Sequence, residues 1–549
     1  MVSVLIFVHI ISSPVWSDSF YEQVANYLRN RIEASGTPPV LSVGHEKINA
    51  SIVLPRFYEK RLYQPAWIDD DGILDTVKEL VGVLRSADRE GLRSKDYHLT
   101  LIADILTSIV KEVQQRQYLN PRKYVDLELL LTDAFLIYSA HLLAGRINPQ
   151  TIDAEWFANI RETDLADVLE NACQNKDISS AFEKLMPPQA GYARLKRALG
   201  EYRHIASNGG WAQIPGPAPI NTDESGKRIL DVKERLRMTK ELSEDEFHLP
   251  YFSKALENAI RAYQMRHGLE ITGFIDEETL ISMNVPVQER ISQIEVNLER
   301  WRWLPQNLGL QHVIVNIANF RLDIVENDQI VNTMRVIVGK TYRRTPVFSD
   351  KMTYLVLNPY WHVPDNIARQ DILPMIRKDQ SYLTKKGMKI FDSWGADARE
   401  VEVATLKWSE INAGNFRFRL RQDPGPENAL GRIKFMFPNQ FNVYLHDTPS
   451  RELFLKTNRD FSSGCIRIEK PIELAEYVLK AAGWNKHKIE VALKRQVEQT
   501  VRLPEAIDIH LLYWTCWVDE KGIVNFRRDI YQRDKLLTEA LQEGPPGLH

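Results

Sequence analysis

One of the chain's three cysteines, Cys465, stands in the run Ser462-Ser463-Gly464-Cys465-Ile466-Arg467, downstream of a histidine, His446, in Tyr444-Leu445-His446-Asp447-Thr448. A cysteine beside a permissive glycine, followed by an arginine and reachable by an imidazole, is the minimal set for acyl transfer on sulfur. A free thiol has a pKa near ~8.5 and is only slightly ionised at neutral pH, so a neighbouring imidazole and positive charge are needed to supply thiolate. Gly464 lets the backbone turn sharply before the nucleophile, and N–H groups around Gly464 and Cys465 can face a developing oxyanion. Arg467 can hold a substrate carboxylate or pair with an acid such as Glu469. These residues alone leave Cys465 open as a catalytic nucleophile or a buried cysteine.

Positioning these groups requires strands. His446 follows the strand-like stretch 441–445, and alternation puts Tyr444 on the face of His446, where it can line an acyl pocket. Asp447 falls on the opposite face and is not expected to complete a triad. Upstream, Val313, Val315 and Ile317 alternate, as do Leu322 and Ile324, with Glu326-Asn327-Asp328-Gln329 as a turn into 330–338, the pattern of an antiparallel hairpin. The β pattern is interrupted over about 364–439 by helical and charged text, which is read as a lid over a substrate cleft or as a surface excursion. His362 is expected to be a structural or lid histidine. Stretch 509–518, a turn at 519–522 and 523–526 form a C-terminal hairpin expected to complete the β region.

The remainder of the chain is organised in front of this region. From 18 to about 207 the period is helical, with Leu74, Val77, Val81 and Leu84 on one face and a helix around Leu127–Leu143 that is apolar nearly all round. Phe57, Tyr58, Tyr63 and Trp67 are expected to be core, not a ligand platform. Residues 208–225 read as a Pro/Gly linker. Residues 226–290 contain three short helical patterns, with Asp276 as a cap for the third. The elements Ala259-Ile260, Tyr263-Gln264, His267-Gly268-Leu269, Ile275-Asp276 and Thr279-Leu280 resemble the three-helix peptidoglycan-binding module of cell-wall enzymes. The fold class is therefore multidomain α+β: a helical scaffold, a small three-helix module, and a mostly β region over 291–549.

Composition sets outer limits. At 549 residues and a formal charge of −3, the chain calls for several domains and gives no reason to expect a nucleic-acid partner. The apolar run 2–11, followed by small residues at 12–17, reads as a secretory signal cut before Asp18. No other stretch is expected to be long and apolar enough for a transmembrane helix. The lack of any Cys-x-x-Cys removes the obvious zinc pattern, and no metal or other cofactor is expected. Cys173 and Cys516 are expected to be buried fillers.

The spaced runs Tyr444-Leu445-His446-Asp447-Thr448-Pro449 and Ser462-Ser463-Gly464-Cys465-Ile466-Arg467 resemble the signature of the L,D-transpeptidases with a YkuD-type catalytic domain. The scaffold, linker, wall-binding module and inserted lid together resemble the large periplasmic branch of that family in Gram-negative bacteria. The resemblance implies Cys465 as nucleophile and His446 as base, with a backbone carbonyl in place of an acid orienting the histidine. It places Gly464 and Ser463 in the catalytic loop, and Arg467, Tyr444 and Ser462 as substrate-binding candidates. It further implies peptidoglycan stem peptides as donor and acceptor, 3-3 cross-links as product, carbapenems as acylating inhibitors, a periplasmic location, a monomer, and other wall-synthesis proteins as associates. Where many relatives have His-Gly-Cys, this chain has Ser463-Gly464-Cys465, which leaves His446 as the base. Hydrolysis of the same stem peptides, as a carboxypeptidase or endopeptidase, and a non-catalytic wall-binding scaffold are the competing readings.

Overall fold

A computed structural model describes residues 18–544 apart from 70, 158–160 and 396; the expected signal segment at 1–17 lies outside the described residues. The N-terminal region is helical, as its period requires, and is built round α1 (Pro121–Ala144). Asn120 caps α1 by accepting the Arg122 N–H, with Pro121 at the first helical position. Phe57, Tyr58 and Trp67 are buried against it, so they are core. By length and composition α1 can cross a membrane, which corrects the expectation that no such stretch exists. Its sides are covered by protein, and it carries Glu128 and Asp133 fully buried. Both carboxylates are satisfied by incoming loops. Glu128 accepts the N–H groups of Ala66 and Trp67 at 2.9 and 2.8 Å, and Asp133 accepts those of Asn49 and Ala50 and bonds His98 at 2.7 Å. Buried carboxylates of this kind are tolerated only when so paired, which makes them pins for the loops they hold.

Residues 208–225 carry no helix, but they are not a free tether. Ile214 and Ile220 lie in the core of the small three-helix module, and Trp211 donates its indole N–H to the Val285 carbonyl. Apolar residues spaced among the prolines bury this stretch against the module. The module consists of α3 (Lys227–Met238), α4 (Lys254–His267) and α5 (Glu277–Met283), and Asp276 caps α5 as expected. The last scaffold helix, α2 (Ala190–Ser207), precedes them in the chain and packs on α6 (Val287–Arg302).

α6 begins straight after Pro286, so the expected break between 290 and 291 falls inside a helix. It joins several parts of the molecule. Asn297 and Thr515 exchange bonds at 2.8 and 3.0 Å, Arg300 pairs with Asp534 at 2.6 Å, and Trp301 stacks on Trp514 at 4.4 Å. Glu299 accepts the Ile147 N–H from the scaffold side at 2.8 Å. Gly145 makes this approach possible: a Cβ there would lie 2.6 Å from the Trp303 ring nitrogen, and its φ of +84° is unfavourable for other residues.

Among the described residues the C-terminal region holds one nine-stranded sheet. In chain order the strands are β1 (Gln311–Asn316), β2 (Arg321–Glu326), β3 (Gln329–Gly339), β4 (Phe348–Leu357), β5 (Ile433–Met436), β6 (Leu445–His446), β7 (Asp460–Ser462), β8 (Ile466–Ile468) and β9 (Gln499–Leu512). The spatial order is β7-β3-β8-β6-β5-β4-β9-β1-β2, and β2 returns to pair with β3, so the sheet curls back on itself. The turn between β2 and β3 has Asn327 and Asp328 at positive φ, the residues and conformation a tight hairpin requires. Pro504 sits in the register shift of β9 between Arg502 and Ile507, where no ladder N–H is lost. The interior is lined by alternating apolar residues, among them Val313, Leu322, Leu355, Phe435, Leu445 and Ile466.

Two expected boundaries move. The insertion cannot run to 439, because β5 within that span pairs with both β4 and β6 in the middle of the sheet. What remains has its own core around Val363, Ile376, Trp408, Phe416 and Leu420, so it is a small folded unit. The stretch 509–518 is not one strand either. Its first part ends β9, whereas Cys516–Val518 turns out to pair with Val524–Phe526 in a hairpin packed against α2 and α6. Cys516 is buried there, and Cys173 packs on the scaffold core.

Candidate active site

The site lies on one face of three neighbouring strands. β6 pairs in parallel with β8, placing Leu445 beside Ile466 and His446 beside Arg467. On its other side β6 pairs antiparallel with β5, placing His446 beside Lys434. Since side chains alternate, Leu445, Ile466 and Phe435 point into the core, and the opposite face presents Tyr444, His446, Arg467 and Lys434. Cys465, immediately before β8, lines the same cleft of about 790 Å³ as these four residues.

His446 is 5% exposed, and its Nδ1 lies 2.6 Å from the carbonyl oxygen of Asp447. A carbonyl can only accept, so Nδ1 carries the hydrogen and Nε2 is left with a lone pair. The Asp447 carboxylate is engaged elsewhere: it accepts the Arg432 N–H at 2.9 Å and pairs with Arg451 at 3.3 Å. The expectation that Asp447 is no triad member, and that a backbone carbonyl orients the ring, agrees with this geometry. Burial first, then the Arg467 guanidinium, lowers the imidazole pKa to about 3, against the raising effect of the Asp447 carbonyl. His446 is thus neutral throughout the physiological range, with Nε2 unprotonated.

Cys465 is partly exposed, and its Sγ lies 3.7 Å from the Asn442 carbonyl. Burial raises the thiol pKa. The N–H and hydroxyl of Tyr444, Lys434 and Arg467 pull the other way without overcoming it. The resting pair is therefore thiol and neutral imidazole, and the positive charges nearby do not by themselves supply a standing thiolate. Proton transfer has to accompany attack.

The loop before the nucleophile is braced on both sides. Gly464 adopts φ +116°, and its carbonyl accepts the Thr345 hydroxyl at 2.8 Å. Its N–H donates to Ser462 Oγ at 3.2 Å, so it is not free to face an oxyanion, contrary to expectation. Ser462 is 2% exposed and also donates to the Cys465 carbonyl; its side-chain bonds are internal to the loop, so it shapes the turn at the edge of the cleft. Ser463 is on the rim, where Arg343 Nη1 donates to its hydroxyl at 3.0 Å. The same guanidinium pairs with Asp371 and donates to Gln370 at 2.8 Å, both in the inserted unit.

Glu469 is taken by Arg335, so Arg467 does not pair with it; its buried Nε makes no hydrogen bond, and its side chain lines the cleft. His362 is exposed at the cleft on the strand that leads into the insertion. Lys434 escaped the sequence reading. Its ammonium lies 3.9 Å from the centre of the Tyr444 ring and in no ion pair among the described residues, and burial lowers its pKa. The strand alternation through Ile433, Phe435 and Phe437 was the available signal: it turns Lys434 to the face of His446. No cluster of three or more metal-ligating side chains occurs among the described residues.

Known proteins add the following. Residues 310–493 match the L,D-transpeptidase catalytic domain (YkuD), residues 53–199 a scaffold domain, and residues 229–283 a peptidoglycan binding domain. An L,D-transpeptidase of Haemophilus influenzae is 35% identical over 248 residues, 45% of this chain and 49% of the relative. The chain thus spans about half the length of the curated relative it matches. An L,D-transpeptidase from Xylanimonas cellulosilytica aligns over 54% of this chain and 98% of its own at 13% identity and a TM-score of 0.18. The Ldtfm-avibactam carbamoyl enzyme aligns over 58% and 98% at 8% identity and the same score. Scores this low carry no argument, and the assignment rests on the sequence matches and the site. The chain joins regions that match a scaffold domain and a peptidoglycan binding domain to a region, residues 310–493, that matches the L,D-transpeptidase catalytic domain YkuD.

Proposed function

We propose that the protein is a cysteine-dependent L,D-transpeptidase that forms 3-3 cross-links between peptidoglycan stems in the periplasm. The observation that carries this reading is that one cleft is lined by both a partly exposed Cys465 and a neutral His446 whose Nδ1–H is tied to a main-chain carbonyl. In the first half-reaction Cys465 Sγ attacks the carbonyl between diaminopimelate and the terminal D-Ala of a tetrapeptide stem, and its proton passes to His446 Nε2. The C–N bond breaks, His446 returns the proton to the departing D-Ala amine, and a thioester remains. In the second, the side-chain amine of another diaminopimelate attacks the thioester and loses a proton to His446, and sulfur leaves and is reprotonated. One amide replaces another, with no net redox change. Arg467 and Lys434 supply positive charge on the cleft floor for a stem carboxylate or the developing oxyanion.

The test has two readouts on purified protein. Exposure to a carbapenem, followed by intact-protein mass measurement, should give an adduct that Cys465→Ala loses. Stem tetrapeptide donors and acceptors should yield D-Ala together with a cross-linked dimer. Absence of any adduct with active protein would remove the thiol mechanism. Release of D-Ala with tripeptide and no dimer would make the enzyme a carboxypeptidase.

A further inference from the structure

Part of the catalytic cleft comes from outside the catalytic region. The segment 153–157, within the stretch that matches the scaffold domain, lies against the loop that joins β3 to β4. Trp156 forms a parallel bridge with Val347: the Val347 N–H donates to the Glu155 carbonyl at 2.9 Å, and the Phe157 N–H donates to the Val347 carbonyl at 2.8 Å. Trp156 is buried in the core of the sheet region, and Phe157 packs on Phe441 with ring centres 4.7 Å apart. With Trp156 turned into the core, its neighbour Glu155 lines the cleft that holds Cys465, where its side chain is 45% exposed.

The other carboxylates lining that cleft are engaged. Asp371 is held by Arg343 at the rim, and Glu427 pairs with Lys386 at 3.3 Å. Glu155 has a looser contact, 3.4 Å from Arg533, whose guanidinium makes its shorter bond, 2.7 Å, to Asp153. That contact uses Oε2 and leaves Oε1 as an acceptor. Arg344 lines the cleft too, its side chain 35% exposed and its Nη1 3.6 Å from Asp153. Burial raises the Glu155 pKa against the charges of Arg533 and Arg344, which places both guanidiniums near it. The pair stands beside the nucleophile loop. The Arg344 carbonyl lies 3.7 Å from the position of a Cβ on Gly464, and the next residue, Thr345, donates its hydroxyl to the Gly464 carbonyl at 2.8 Å. An anionic and a cationic side chain are thus presented together, next to Cys465, by two different parts of the chain.

We propose that Glu155 and Arg344 form the acceptor subsite, which takes a zwitterionic amino-acid end with its ammonium on Glu155 and its carboxylate on Arg344, so that the scaffold region selects an amine over water as the second nucleophile. This rests on the acyl transfer proposed above. The side-chain end of diaminopimelate bears both charges, whereas water bears none for either group to hold. The ammonium gives its surplus proton to solvent before the amine attacks, and the steps at Cys465 are those already given. Whether the thioester ends as a cross-link or as a free tripeptide is then decided in part by a residue outside the catalytic region.

The test uses the full-length protein with stem tetrapeptide as donor and acceptor, and scores dimer against tripeptide. Glu155→Gln should raise the acceptor KM about ten-fold or more and shift product from dimer to tripeptide, whereas carbapenem acylation, a readout of Cys465 that uses no acceptor, should move by about two-fold or less. Hydroxylamine at mildly alkaline pH, a neutral nucleophile, should capture the thioester at similar rates in parent and variant, and Glu155→Asp should recover part of the dimer. The parent should prefer an acceptor whose side-chain-end carboxylate is free over one in which it is amidated, and Arg344→Gln should lose that preference. Equal ratios of dimer to tripeptide in parent and Glu155→Gln overturn the proposal and leave cross-linking standing. A parallel fall in acylation, hydroxylamine capture and melting temperature also overturns it, by making Glu155 a structural partner of Arg533. An unchanged preference in Arg344→Gln overturns the carboxylate half of the subsite. A parent that releases D-Ala with no dimer removes the cross-linking reading, and the acceptor subsite with it.

Discussion

His446 and Arg467 sit side by side on parallel strands, and after burial it is the guanidinium of Arg467 that does most to keep the imidazole uncharged. The same guanidinium lies among the groups that favour ionised Cys465. One arginine therefore acts on both partners in opposite senses: it favours the deprotonated nucleophile and weakens the base that has to take its proton.

Arg467→Gln should raise the His446 pKa from about 3, though burial keeps it below the ordinary imidazole value, and should push the Cys465 thiol still higher. Because the thiol already titrates above its ordinary value, carbapenem acylation in the parent should climb with pH through the neutral range; in the variant it should be slower and the climb displaced to higher pH. Rates of adduct formation from pH 6 to 9 measure this, and identical profiles would sink the coupling.

His446→Ala removes the imidazole proposed to take the thiol proton. A loss of roughly 10²- to 10⁴-fold in acylation rate is expected from removing a general base. The far-ultraviolet dichroism should be unchanged, since His446 packs at the cleft floor and not in the sheet interior. Acylation at the parental rate would assign the proton to another group.

The elements that proved legible were those whose period has one physical cause. Val313, Val315, Leu322 and Ile324 alternate because one strand face is buried, and Asp276 caps a helix because its side chain accepts the Thr279 N–H at 2.7 Å. Cys465 and His446 were readable as chemistry through their resemblance to a family signature, since the residues alone left Cys465 open as a nucleophile or a buried cysteine. What was not readable depends on contacts far apart in sequence. Gly464 spends its N–H on Ser462, a matter of loop geometry, and β5 reads as part of an insertion until β4 and β6 are found on either side of it. Lys434 looks like any solvated lysine until Tyr444 is placed over it. The linker composition of 208–225 hid Ile214 and Ile220 because prolines mask an apolar pattern too sparse to form an element.

Arg343 ties the inserted unit to the catalytic loop by holding Asp371, Gln370 and the Ser463 hydroxyl at once. Arg343→Ala should release the insertion from the rim. Backbone amides in 365–378 should exchange hydrogen faster by about ten-fold or less, since a partly exposed ion pair contributes roughly 0.2–1 kcal/mol. Carbapenem acylation, which needs a small ligand to enter, should persist. Unchanged exchange in 365–378 would show that the insertion is held by its other contacts alone.

In the scaffold, His98 bridges Asp133 at 2.7 Å and Glu46 at 3.0 Å, and Asp133 also receives the Asn49 and Ala50 N–H groups. Burial works against the charged imidazole, but the hydrogen bonds and charges of Asp133 and Glu46 outweigh it and raise the His98 pKa above its ordinary value. A folded-state pKa raised above the unfolded one gives stability that is complete below about pH 6.5 and is lost as the pH rises through the folded value. Local protection of segment 46–52 in the full-length chain, corrected for intrinsic exchange, should therefore decline between pH 6 and 9. Asp133→Asn should lower that protection at every pH and flatten its pH dependence, because breaking a buried pair by removing one partner costs about 3–5 kcal/mol and takes with it the charge that raises His98. A pH dependence of the same slope in Asp133→Asn would show that another group in the scaffold titrates instead.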